Sequence, residues 1–345
     1  MNVLGIISSQ FDPASRFRIK QYGPYLEELG TNLDVYQPSA SKDAEPPGWS
    51  KKISRVTKIN EWRIWNNTQL LKRSGIVLRQ FRYDLIWQNR LLLKTYSFLE
   101  RYYKRPFIFD FDDAIWLLEG EKAVQKALTM ATAVFAGNEY LADYANRFNK
   151  NVHIIPTCID TKQLFPLHLS KTIFNIGWIG TPGNFKYLEM IMPALLEFLH
   201  ENEDAQLTIV SSARPAFIQF DKSIYFIPWS LETENEHINK FSVGLMPLTH
   251  DEWTLGKCSC KLLQYLACGI PVLASPVGQN NSIVNSNDVG LAPIDTADWK
   301  RDLQTLKDNT VLYNTFAQNG PGFVHKHYSC TAYSEAIVAL FNKYK

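Results

Sequence analysis

Lys257 and Lys261 stand at the front of an apolar stretch in which Leu262, Leu263, Leu266 and Ala267 recur at helical spacing. Gly269 suits the left-handed stop after such a helix. Pro271 then opens a short strand through Val272 and Leu273, and Ser275 to Gly278 form a small-residue turn at its end. Helix N-terminal amides flanked by ammonium groups attract a phosphate. The plainer alternative is a crossover helix with solvated lysines. A second segment, Gly177-Trp-Ile-Gly180-Thr181-Pro-Gly183-Asn-Phe-Lys186, follows an apolar run and has a similar character. It is not GxGxxG, so it carries no nicotinamide fingerprint. Its glycines let the backbone approach a ligand, and Lys186 can reach a diphosphate.

Other polar groups carry two readings each. Trp229, in Ile-Pro-Trp-Ser at the end of an apolar run, stacks on a nucleobase or fills a core. Asp251 and Glu252, just ahead of the lysine helix, accept hydrogen bonds from sugar hydroxyls or serve as helix-start acids. Arg16 and Arg18 face a phosphate or anionic acceptor, or simply begin a solvated helix. Phe109-Asp110-Phe-Asp112-Asp113 gathers three carboxylates at a strand end. There they orient an acceptor hydroxyl or hold a hard divalent cation.

Regular elements must bring these groups together. Strand-like runs at 3–8, 33–36, 84–88, 106–109, 133–136 and 152–155 alternate with helical patterns at 15–29, 60–81, 91–103, 122–130 and 139–148. The alternation restarts with runs at 173–179, 206–210, 224–227, 243–246, 272–274 and 290–292. Such spacing predicts parallel sheets covered on both faces. The expected architecture is α/β, with two doubly wound Rossmann-like domains and a ligand cleft between them. Residues 1–165 form the first domain, 172–325 the second, and 326–345 a C-terminal helix packing back on the first. Residues 161–171 read as the linker. In the helix over 187–202, Leu188, Ile191, Leu195 and Leu199 share a face, and Pro193 predicts a true helix start near itself. Asn138 is a fitting N-cap for the helix that follows it.

A net charge of +2 and the lack of a recognition motif argue against nucleic acid. The N-terminus has no basic segment or long apolar core and reads as a strand rather than a signal peptide. No uncharged apolar run approaches the roughly 20 residues that span a bilayer. Five cysteines without CxxC pairing point away from zinc and towards a reduced, cytoplasmic protein. Between Lys51 and Arg105, fourteen lysines and arginines meet only Glu61, Asp84 and Glu100, and Trp62, Trp65, Leu71 and Phe81 are interleaved with them. This pattern suits contact with an anionic membrane at the inner face of the cell, or a solvated basic face.

Ala267-Cys-Gly-Ile-Pro-Val-Leu-Ala-Ser275, with the helix before it, resembles the donor-site segment of family 4 glycosyltransferases. Those enzymes commonly show a Glu-x7-Glu pattern ending just before "AMACGTPVVAS". Here Gln264 stands in place of the second glutamate and Gly256 eight positions earlier, with Glu252 as a nearby carboxylate. The turn bearing Lys186 is similar to the family's "G-x-x-x-x-x-K-G" turn, and Val243-Gly-Leu-Met-Pro247-Leu to its "G-x-x-P-L" strand. The resemblance implies the GT-B fold. It also implies transfer, with retention, of a sugar from a nucleotide diphosphate sugar to an acceptor hydroxyl in surface polysaccharide or glycolipid synthesis.

By that resemblance, Lys186 and Lys261, with Lys257, neutralise the leaving diphosphate, and Gly180, Thr181, Trp229 and Gln264 join them around the donor. Asp112, Asp113 and Glu252 complete the catalytic set. The partners are the nucleotide-sugar donor and a carbohydrate or lipid-linked acceptor. No cofactor beyond the donor, and no resident metal, is implied. Asp-x-Asp is, however, the manganese signature of the other large glycosyltransferase fold. A metal-dependent sugar transferase using Asp110 and Asp112 is therefore one alternative. The missing glutamate pair leaves a non-catalytic sugar-nucleotide-binding or membrane-docking protein as another.

Overall fold

The apolar runs form two six-stranded parallel sheets in the computed structural model. Its described residues are 1–9, 12–42, 44–97, 99–167, 169–218 and 221–345. The chain divides into two units, one made of Met1–Thr157 with Tyr333–Lys345 and the other of Cys158–Ala332. The first unit therefore ends at Thr157, upstream of the stretch expected as linker.

In the first unit, β1 (Asn2–Ile6), β2 (Asn32–Tyr36), β3 (Leu85–Asn89), β4 (Phe107–Phe111), β5 (Ala133–Ala136) and β6 (Val152–Ile154) lie in the order β2-β1-β3-β4-β5-β6. β3, β4 and β5 are buried at every position, as expected of strands covered on both faces. The order reverses between β1 and β3, so the loops after these two strands flank this unit's switch point. Asn138 caps the helix Glu139–Asn146 by accepting from the Leu141 amide at 2.9 Å. The last helix, Cys330–Tyr344, delivers Phe341 to this unit's core, with its ring 5.3 Å from that of Trp87 and 6.2 Å from that of Phe135.

In the second unit, β7 (Phe174–Ile179), β8 (Ala205–Ser211), β9 (Ile224–Pro228), β10 (Val243–Met246), β11 (Val272–Ala274) and β12 (Gly290–Leu291) lie in the order β12-β11-β10-β7-β8-β9. That is the Rossmann order, with its switch point between β7 and β10. Both units are thus doubly wound, the pair of Rossmann-like domains that makes a GT-B fold.

Four helical expectations need correction. The helix Phe185–Glu201 is continuous through Pro193. An internal proline costs about 3 kcal/mol. Leu188, Ile191, Leu195, Phe198 and Leu199 are all buried on its face, at roughly 1.5–3 kcal/mol each. Burial wins. The described residues of 91–103 form no α-helix but an irregular path with a 3-10 turn at Glu100–Tyr102, where Arg90 and Thr95 turn the chain with φ of 58° and 63°. The expected 15–29 helix is divided into Pro13–Arg18, a 3-10 turn at Lys20–Tyr22 and Gly23–Glu28, where Gly23-Pro24 restarts it. The expected 60–81 helix is divided into Glu61–Arg73 and Gly75–Arg79, and a further helix, Gly48–Thr57, precedes it. Among the described residues no helix is long and apolar enough to cross a membrane.

Candidate functional site

At the second unit's switch point, β7 and β10 pair only through Ile176 with Val243 and Gly177 with Gly244. Beyond that the strands need another group to satisfy their edges. Tyr265 supplies it. Its hydroxyl accepts from the Ile179 amide at 2.9 Å and donates to the Leu245 carbonyl at 3.4 Å. Burial raises its pKa, so the phenol stays protonated and able to donate. A Cβ on Gly244 would lie 2.3 Å from the Tyr265 ring, so glycine makes the approach possible.

Tyr265 docks the helix Cys260–Ala267 on the switch point, and Lys261, one turn earlier on the same face, comes with it. The Lys261 ammonium sits 4.8 Å from the centroid of the Trp178 ring. A Cβ on Gly180 would lie 2.6 Å from Lys261 Cε. Lys186, on the first turn of Phe185–Glu201, lies 4.9 Å from the Tyr187 ring, and Lys257 lies 6.0 Å from the same ring and 5.1 Å from Trp253. Gly180, Lys186, Lys257 and Lys261 are therefore gathered at the carboxyl end of β7. No side chain caps the first turn of Cys260–Ala267 or of Phe185–Glu201. Two helix starts without a side-chain cap and three ammonium groups can bind a polyanion.

A hydrogen-bonded chain fixes the surrounding loops. The Leu248 amide donates to Ser275 Oγ at 3.0 Å, Asn280 Nδ2 to the Ser275 carbonyl at 3.4 Å, and Ser259 Oγ to Asn280 Oδ1 at 2.7 Å. Ser259 holds a left-handed backbone, φ 52°, directly before the lysine helix. Such conformations cost about 1–3 kcal/mol and persist where the surroundings enforce them. Trp178, Tyr265, Ser259 and Asn280 were not singled out from sequence. Only Tyr265 left a trace there, four residues after Lys261 on the same helical face.

The other residues singled out in the second unit are placed as follows. Thr181 is exposed and accepts from Asn184 Nδ2 at 2.9 Å. Asp251 is a helix-start acid in a capping box with Thr254, which decides between its two readings. Burial opposes its charge, yet hydrogen bonds from Thr249 and Thr254, and the nearby Lys186, hold its pKa below the usual value. Glu252 is exposed on the first turn of Glu252–Leu255. Gln264 is buried in the lysine helix. Trp229 stands apart, two strands from β7 at the end of β9, half-exposed with its indole donating to Glu234 Oε1 at 2.9 Å.

The first unit's switch point is arranged differently. Asp110 is fully buried, and it accepts from Arg18 Nε at 2.9 Å, Trp87 Nε1 at 3.1 Å and Asn89 Nδ2 at 3.1 Å. Burial leaves its pKa above the ordinary value against the pull of Arg18. Arg18 is the counter-charge of a core carboxylate, and not a solvated or cleft-facing group. Arg90, with its left-handed backbone, reaches Asp112 at 2.7 Å, Asp113 at 2.5 Å and Asp12 at 3.9 Å. Burial alone would lower its pKa, but these carboxylates outweigh it and hold the guanidinium charged. Both members of the Asp-x-Asp pair are thus met by arginines, Asp110 by Arg18 and Asp112 by Arg90. Among the described residues no group of three or more His, Cys, Asp or Glu side chains is placed to hold a metal ion.

Residues 170–309 match the family described as "Glycosyl transferases group 1". The match falls within the second unit and spans less than half of the chain. The whole chain is also similar in fold to solved glycosyltransferase structures. Sucrose-phosphate synthase from Thermosynechococcus elongatus is 16% identical, with a TM-score of 0.73 over 99% of both chains. The Anabaena protein HepE, solved with UDP and glucose, is 12% identical, with a TM-score of 0.72 over 99% of this chain and 100% of that one. A glycosyltransferase from Rickettsia africae is 11% identical, with a TM-score of 0.71 over 99% of this chain and 98% of that one. No curated protein matches the chain at a significant level. The matched stretch contains Gly180, Lys186, Lys257, Lys261 and Tyr265.

Proposed function

We propose that the protein transfers a sugar, with retention, from a nucleotide diphosphate sugar to an acceptor hydroxyl in surface polysaccharide or glycolipid synthesis, as a family 4-like enzyme. The observation that carries this reading is Lys261 lying over Trp178 against Gly180 at the β7/β10 switch point. Breaking the donor's glycosidic bond places negative charge on the departing diphosphate. Lys261 and Lys186, with Lys257, stabilise that charge, and the dipole of the helix Cys260–Ala267 adds to it. Gly180 and Thr181 border the diphosphate, and Gln264 belongs to the same helix. Glu252 takes the donor sugar, while Asp112 and Asp113, steadied by Arg90, face the acceptor hydroxyl. Because the HepE structure holds UDP, UDP is the first leaving group to test.

The donor is the only small-molecule partner this reading requires, and the acceptor is a carbohydrate or lipid-linked hydroxyl met at the inner face of a membrane. A thermal-shift screen of nucleoside diphosphates, followed by turnover of the matching sugar donor with acceptor, tests the reading. Specific binding raises apparent stability by mass action. Nucleotide binding without nucleoside diphosphate release, even with acceptor present, would make the protein a non-catalytic binder. Turnover lost with EDTA and restored by manganese would favour the metal-dependent alternative instead.

A further inference from the structure

We propose that the helix Gly48–Thr57 and the turn after it form a docking surface for an anionic lipid bilayer. Trp49, Ile53 and Val56 recur at i, i+4 and i+7, which puts them on one stripe of that helix. The stripe does not face the core. Trp49 and Ile53 are each 42% exposed and Val56 is 84% exposed, whereas Ser50 is the only residue of the helix that is fully covered. The turn continues the stripe with exposed Ile59 and Trp62. Its geometry is fixed, since Lys58 stops the first helix with a φ of 61° and Asn60 caps the next by accepting from the Trp62 amide at 2.9 Å. The exposure is therefore built in.

The next helix, Glu61–Arg73, shows what a core-facing side looks like here. Trp65, Gln69 and Arg73 are buried and hold the preceding chain. Trp65 Nε1 donates to the Ala44 carbonyl at 3.0 Å, and Arg73 donates to the Ala40 carbonyl at 2.7 Å. Trp49 leans on Trp65 edge to face, 6.0 Å between ring centroids. The first helix thus packs on the second on its Ser50 side and through Trp49, while Ile53 and Val56 stay open to solvent.

Charge decides what covers the stripe. From Gly48 to Arg82 the one acid is Glu61, against exposed Lys51, Lys52, Arg55, Lys58, Arg63 and Lys72. A neutral apolar partner gains nothing from those cations, whereas anionic headgroups meet the ammonium and guanidinium groups as the apolar side chains enter the acyl boundary. The surface accords with a lipid-linked acceptor, but its test does not depend on sugar transfer.

The test is co-sedimentation of the full chain with phosphatidylcholine vesicles, with and without phosphatidylglycerol. Wild type should bind the anionic vesicles and release at high salt. The triple variant Lys51→Gln/Lys52→Gln/Arg55→Gln should bind them on the order of a hundredfold more weakly, since each basic residue at such a surface contributes on the order of a fivefold gain. Ile53→Ser/Val56→Ser should lose about tenfold through the apolar side alone. Unchanged circular dichroism would show that both variants are folded, as exposed positions allow. Equal binding to neutral vesicles, no vesicle binding by wild type, or wild-type binding by both variants would overturn the proposal. So would a wild-type dimer, seen by light scattering, that Val56→Ser dissolves while neither protein sediments with lipid.

Discussion

At the switch point between β1 and β3, Arg90 is met by Asp112, Asp113 and Asp12, and Asp110 is met by Arg18. At the switch point between β7 and β10, the three lysines rest on the rings of Trp178, Tyr187 and Trp253. Both regions obey the same topological rule and concentrate polar groups at the carboxyl ends of strands. They hold charge differently. The first pairs its ions within the fold. The second rests its cations on aromatic faces, with Lys186 also near Asp251, and no side chain caps its two helix starts. A charge cluster at a strand end therefore says little until its counter-charges are known.

The contrast can be broken most forcefully at Asp110. Asp110→Ala would leave Arg18 buried and uncompensated, and it should cost about 3–5 kcal/mol in urea unfolding. Nucleotide affinity of the folded fraction should stay as in wild type; a specific loss of binding would show that the first region is also a ligand site. Lys261→Ala should do the reverse. Loss of a charge-assisted contact of about 1.5–3 kcal/mol weakens UDP binding roughly 10- to 100-fold in calorimetry with little change in stability. Unchanged affinity would remove Lys261 from the site.

Tyr265→Phe sharpens the link between frame and site. It strips the partner from the buried Ile179 amide, so stability should fall by about 1–3 kcal/mol, and nucleotide affinity should fall with it as the lysine helix loosens. A stability loss with intact affinity would separate the two. The smallest effect concerns acid. Asp12 has a folded pKa below its ordinary value, because Arg90, Lys42 and Ser8 outweigh its burial. Its stabilisation is present above about pH 4 and is lost as the pH falls through the folded value. Urea midpoints followed downwards from pH 5 should decline less steeply for Asp12→Asn than for wild type.

Much of this was legible in the sequence, for physical reasons. Strands covered on both faces are apolar for most of their length, so runs such as Ala133–Ala136 and Val243–Met246 announce themselves. The lysines and glycines at the end of β7 were visible because a helix start and a βα turn have local signatures. Their supports were not. Tyr265 reads as one more core residue until the order β10-β7 shows a gap that its hydroxyl must fill. Asp110 looked like a cation ligand because its partner Arg18 lies 92 residues away in sequence. Pro193 misled because local propensity was outweighed by the burial of a whole helix face. The loop after β3 misled because Arg90 adopts a left-handed turn for the sake of two distant carboxylates.

The last residues of the chain have a consequence for how the protein is made. Phe341 fits between Trp87 and Phe135, so residues 333–345 complete a core whose sheet was synthesised long before them. Residues 1–157 cannot close their interior until residues 333–345 have been made, so this unit draws on two stretches separated by the whole of the second. Removing a few turns of the helix Cys330–Tyr344 therefore exposes a defect around Trp87 and Phe135, far away in sequence.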